Sequence, residues 1–166
     1  DEYGHAGGGK ALIDNFTVAF GDSFDSSIPD VTDYIEGDEL ALAGIPMRIV
    51  RNQDAFDIEI PAINSVYTHM LGHDCHSIVA GAGHADAIIA QLKGYKDAGY
   101  DLVLTSHYTP EDLKDVQTKI EYLEKLKGLA AGSKSAEDFK AKVEERYPNY
   151  AGENYLDMTA GFFFGV

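Results

Sequence analysis

Between Asp38 and Met70 the chain is a series of short apolar runs separated by turn residues. "DELALAG" and "IPMRIV" are two of them, and "AFDIEIP" alternates apolar and polar residues at period two, as a half-buried strand does. "NSVYTHM" is a fourth, and "HSIVAGAG" (His76 to Gly83) is a further short one. The pattern predicts consecutive, largely antiparallel strands over residues 38–80. Downstream the period lengthens. "HADAIIAQLKGYKDAGY" puts Ala87, Ile88, Gln91 and Leu92 near one face of a helix, and "YDLVLTSHYTP" is an apolar strand entering a turn that holds His107. Thr109 is placed to cap the next helix, with Pro110 at its first position and Asp112 three residues after the cap. Leu113, Val116, Ile120, Leu123 and Leu126 then recur at three- and four-residue steps. "GLAAGSKSAEDFKAKVEERYP" reads as a break and a second amphipathic helix, and the tail from Asn154 is apolar enough to pack.

Before the strands, "HAGGGKALIDNF" (His5 to Phe16) reads as a glycine-rich turn entering a short helix. "TVAF" (Thr17 to Phe20) reads as a short strand, and Gly21 to Asp33 as turn. No βαβ alternation is visible in this order. The expected class is therefore α+β: a mainly antiparallel sheet covered by helices, with those of residues 83–98 and 109–127 on one face. At 166 residues the expectation is a single domain spanning 1–166.

Composition narrows the partners. A formal charge of −15 excludes recognition of a nucleic-acid backbone, which needs clustered Lys and Arg, and leaves room for metal cations. No apolar run approaches the roughly 20 residues of a bilayer span. A single cysteine makes no internal disulfide and leaves the redox compartment open.

Chemistry concentrates in "SVYTHMLGHDCHSIVAGAGH" (Ser65 to His84), which holds four of the six histidines and the one cysteine. One cysteine and two histidines within four residues do not converge on an ion without an unusual loop, so Cys75 reads as a small buried hydrophobe. His84 starts a helix, as a capping or solvated residue. Ser77 and Ser106 neighbour histidines without a nucleophile-elbow pattern, and "GGGK" lacks the rest of a phosphate loop.

Three stretches carry a resemblance to a known family. "GHAGGGKAL" (Gly4 to Leu12) looks like the end of an H-x-H-x-D-H signature followed by Gly-Gly, and "GDELALAGIPMRIV" like a characteristic hairpin. "INSVYTHM" and "YDLVLTSHYTPEDL" look like two later strands that end in metal ligands. Over residues 4–127 the chain thus resembles the metallo-β-lactamase fold hydrolases. The resemblance implies a partial αββα sandwich matching the family's C-terminal two thirds, without its N-terminal half-sheet. It also has departures. Glu2 falls where the second signature histidine belongs, Gly4 replaces a ligand aspartate, "RNQDAFD" lacks a family histidine, and Thr68-His69 replaces Gly-Asp. A normal dinuclear site cannot be assembled.

What the resemblance leaves is one metal held by His5, His69 and His107, with Glu2 as a fourth ligand. Zinc suits three imidazoles and a water, and iron or manganese suits the set with the carboxylate. His73 and His76 are expected in the following turn, with Asp74 orienting His69 or His76. The implied function is a metal-dependent hydrolase with a reduced, mononuclear site and an unidentified small-molecule substrate. The alternative is a non-catalytic member acting as a binding or structural subunit. An absent half-sheet would leave a strand edge open, so a homodimer or a retained N-terminal fragment is expected.

Overall fold

The computed structural model describes residues 8–27, 35–51 and 56–165, which fall into two compact units divided after Gly37. In the first unit α1 (Gly8–Phe20) runs into a 3₁₀ turn (Gly21–Ser23). "TVAF", expected as a strand, is the last turn of α1. Its β-branched pair is too short to override the helical period of Ile13, Phe16 and Phe20. The Thr17 hydroxyl bonds back to the Ile13 carbonyl (2.8 Å), and Phe16 packs edge-on against Phe20 and Phe24.

The second unit holds a five-stranded sheet in the order β1 (Glu39–Leu42), β2 (Ile45–Arg51), β3 (Phe56–Ile60), β4 (Ser65–Thr68), β5 (Leu102–Thr105). β1 and β2 form a hairpin whose two turn residues, Ala43 and Gly44, both have positive φ (51° and 80°). That is the geometry whose twist matches paired antiparallel strands. The first three pairings are antiparallel, as expected, and β4 pairs with β5 in parallel. The absence of βαβ alternation is therefore corrected. α2 (Ala82–Ala98) is the crossover between β4 and β5, because parallel neighbours need a long connection and this helix supplies it.

Three helices complete the unit: α3 (Leu113–Ala131), α4 (Ala136–Arg146) and α5 (Glu153–Phe164). Val66 of β4 and Val103 of β5 are fully buried, and with them Ile89 and Leu92 of α2, Val116, Ile120, Leu123 and Leu126 of α3, Phe139 of α4 and Leu156 of α5 form one core. The apolar tail does pack, through Phe163 and Phe164 against Phe139. "HSIVAGAG" is not a strand: residues 76–81 are loop, and Ala82 and Gly83 open α2. The Val79 amide bonds the Thr159 hydroxyl of α5 (2.8 Å), so the segment spends its backbone on a helix rather than a neighbouring strand.

The start of α3 also differs from expectation. Asp112, not Thr109, is the cap: its side chain accepts from the amides of Lys114 and Asp115, and Asp115 returns a bond to the Asp112 amide. The reason lies one residue earlier. Glu111 makes a two-bond antiparallel bridge with Val103 (2.8 and 3.0 Å), which holds the chain extended until the helix begins. No helix among the described residues is long and apolar enough to cross a membrane.

Candidate functional site

β4 and β5 lie side by side in parallel, so their C-terminal ends open on the same edge of the sheet. His69 follows β4 and His107 stands two residues after β5. The Ser106 amide donates to the His69 carbonyl (3.1 Å), prolonging the pairing past the strands. Beyond that bond the two imidazoles meet edge to face, ring centres 4.8 Å apart, and both residues are exposed. Beside them the hydroxyls of Tyr67 and Ser106 share a hydrogen bond of 2.5 Å.

The loop after His69 is pinned onto the turn before α3. Gly72 has φ of 58°, and a Cβ there would lie 2.7 Å from the Tyr108 ring, so only glycine lets the loop close on that tyrosine. Glu111, 4% exposed, accepts from the amides of Gly72 (2.9 Å) and His73 (2.8 Å) and from His73 Nδ1 (2.8 Å). Asp115 lies 3.4 Å from the same ring nitrogen. Burial works against charge on His73, but the Glu111 hydrogen bond and the charges of Asp115, Asp74 and Glu111 prevail and raise its pKa.

Deeper, Lys119 of α3 is 3% exposed and has no carboxylate at ion-pair distance among the described residues. Its ammonium donates to the Cys75 carbonyl (2.6 Å) and lies 4.9 Å from the centre of the Tyr122 ring. Burial pulls its pKa down to about 8, against the pull of Cys75, Glu111 and Asp74. Lys119, His76, Tyr108 and Gln91 are among the polar groups lining a cavity of about 140 Å³, walled on its apolar side by residues such as Leu71 and Leu92. His76 is buried, its Nδ1 hydrogen-bonded to the Tyr122 hydroxyl (3.0 Å), and burial and the Lys119 charge hold it toward the neutral form.

Of the residues expected at a metal, His69 and His107 meet ring to ring. To share one ion at about 2.1 Å per bond, rings at this separation need a nitrogen of each turned toward a common point. His5 and Glu2 lie outside the described residues. His73 is in the turn after β4 and is tied to Glu111, whereas His76 sits among Tyr122 and Tyr150. Asp74 is exposed, and its carbonyl accepts from the Ala151 amide (3.2 Å). His84 is exposed, and its Nδ1 accepts the amide of Ala80, two residues before α2 (2.9 Å). Cys75 is buried and unpaired.

Glu111, Asp115 and Lys119 were not foreseen as site residues. Lys119 had a signal: it falls within the apolar stripe of α3, between Val116 and Leu123, where a cation must be buried or snorkel. Glu111 and Asp115 read in sequence only as acidic residues near a helix start.

No family model matches the chain, and no curated protein does. Solved structures do. The stereoselective inverting sec-alkylsulfatase Pisa1 from Pseudomonas sp. aligns with a TM-score of 0.55 at 14% identity, over 81% of this chain and 26% of that one. A double mutant of the same enzyme aligns with a TM-score of 0.50, also at 14% identity and with the same coverage. The chain thus spans about a quarter of the length of the enzyme it matches. At that identity the likeness shows the fold alone: a mixed α+β architecture whose structural neighbours are of the metallo-β-lactamase fold.

Proposed function

We propose that the chain is part of a metal-dependent hydrolase of the metallo-β-lactamase lineage, with a reduced, mononuclear site built on His69 and His107. The observation that carries this is the edge-to-face pair of imidazoles, ring centres 4.8 Å apart, at the C-terminal ends of adjacent parallel strands. Ligands bind at the carboxyl ends of parallel strands because loops converge there on one edge. The donor set, two imidazoles on separate elements, is one that zinc accepts, with iron and manganese as the alternatives. When bound, the metal supplies an activated water near neutral pH. The chain's own part is to hold the two rings, through the Ser106–His69 backbone bond and the Tyr67–Ser106 hydroxyl pair. His5 and Glu2 are the further ligands that the family resemblance assigns.

The test is zinc titration of the metal-free full chain by calorimetry. One equivalent is expected to disappear in His69→Ala and in His107→Ala, and a His5→Ala arm asks for the third imidazole. Hydrolysis of a secondary alkyl sulfate, the substrate type in the neighbour's name, is the first reaction to assay on the zinc-loaded chain. Unchanged zinc binding in both strand-end variants sinks the proposal. A second reading, a non-catalytic binding module, is favoured by Thr68. It and His69 stand where the family has Gly-Asp, so the ligand aspartate is lost, and Thr68 is buried and hydrogen-bonded to Tyr95. A folded chain that takes up no zinc at His69 and His107 would select that reading.

A further inference from the structure

We propose that His73, Glu111 and Asp115 form a second divalent-cation site, which clamps the loop after β4 to the start of α3. It shares no ligand with the His69–His107 pair and does not depend on it. Three donor atoms, one from each residue, lie within 4.8 Å of one another. His73 Nδ1 is 2.8 Å from Glu111 Oε1 and 3.4 Å from Asp115 Oδ1. An ion with bonds of about 2.1 Å sets adjacent ligand atoms roughly 3.0 to 3.4 Å apart, so only small side-chain rotations separate this arrangement from a coordinated one.

The donors are held before any ion arrives. Glu111 is fixed by its backbone bridge to Val103 and by the amides of Gly72 and His73 on its two oxygens. Asp115 gives one oxygen to the Asp112 amide (3.0 Å), and the other is the one nearest His73. The site has a buried floor and an open mouth: the Glu111 side chain is 4% exposed, Asp115 29% and His73 38%. Charge favours a cation as well. Two carboxylates face one imidazole, and the nearby charge of Asp74 adds to the negative field on that ring. A bound ion takes the place of the proton that His73 and Glu111 share.

One imidazole with two carboxylates selects a first-row transition cation, Zn²⁺ or Mn²⁺, over Mg²⁺, which prefers all-oxygen ligands and retained water. The two segments so joined carry His69 on one side and follow His107 on the other, so the clamp would set the spacing of the strand-end pair.

The experiment is calorimetric titration of the metal-free full chain with zinc chloride and, separately, manganese chloride. Four proteins are compared: the wild type, His73→Asn and Asp115→Asn as single variants, and the His69→Ala/His107→Ala double variant. Asparagine at 73 keeps a donor toward Glu111, and asparagine at 115 keeps an acceptor for the helix cap. Both should therefore fold, and a wild-type circular dichroism spectrum verifies it. The expected result is one binding event weakened at least tenfold in each of the two single variants and preserved in the double variant. The zinc-induced rise in melting temperature should follow that event, since an ion bound only by the folded state stabilises it. Binding unchanged in both single variants, or no zinc or manganese bound by the double variant, overturns the proposal and leaves a histidine–carboxylate ion pair. Loss confined to the strand-end variant would overturn this site and uphold the other.

Discussion

Lys119 sits in an environment at odds with what its chemistry prefers. Its ammonium is sealed between Cys75 and Tyr122, and its pKa falls from an ordinary 10.5 to about 8. Folding therefore disfavours the charged form. Below pH 8 the lysine is protonated in both states and the full penalty is present. Between pH 8 and 10.5 the unfolded chain binds more protons than the folded one, so stability contributed at this position rises with pH. The span corresponds to roughly 3 kcal/mol. Urea unfolding of the wild type and Lys119→Met at pH 7 and pH 10.5 should show the wild type gaining about that much on the variant, the other titrating groups cancelling in the comparison. No relative gain would mean that Lys119 is not buried as a cation. The strand-end histidines were legible in sequence, because each closes an apolar run. Their meeting was not, because that depends on which strands are neighbours.

At the scale of elements, strands and helices follow from period, and two of the departures share one cause. "TVAF" has the composition of a strand and "HSIVAGAG" the look of one, but neither has a strand neighbour to pair with among the described residues. The cap of α3 moved from Thr109 to Asp112 because the bridge between Glu111 and Val103 claims the intervening backbone. The body of α3 is different. Val116, Leu123 and Leu126 are fully buried and Ile120 nearly so, on the stripe that the three- and four-residue steps define. Leu126→Ala should therefore lower unfolding free energy by about 2–5 kcal/mol, the cost of lost burial plus the cavity left behind. Denaturant unfolding measures it, and a loss under about 1 kcal/mol would mean that the helix face is not packed as described.

At the scale of the second unit, stability grades across the sheet. Val66 and Val103 at the β4–β5 pairing are fully buried, whereas Leu42 and Ile45 at the β1–β2 turn are 63% and 43% exposed. Amides that open only on global unfolding should therefore cluster in β4 and β5, and those of β1 should exchange first. Native-state hydrogen exchange followed by mass spectrometry tests this order, and slower exchange in β1 than in β4 would contradict it. The gradient matters for function, because both histidines of the proposed hydrolytic site are anchored to the pairing that opens last.

The sequence by itself determined the class of fold, the positions of most strands and helices, and the two strand-end histidines, because periodicity and turn chemistry are local. It also carried a resemblance that structural likeness now supports at the level of fold. The tertiary structure alone decided that β4 and β5 run parallel, which puts His69 beside His107 across 38 residues of chain. It alone turned Glu111 inward beneath His73 and buried Lys119 without an acidic partner among the described residues. A charged residue near a helix start looks solvated in a linear pattern. Whether it is buried depends on which loop folds over it, and that is set by pairings between segments far apart in the chain.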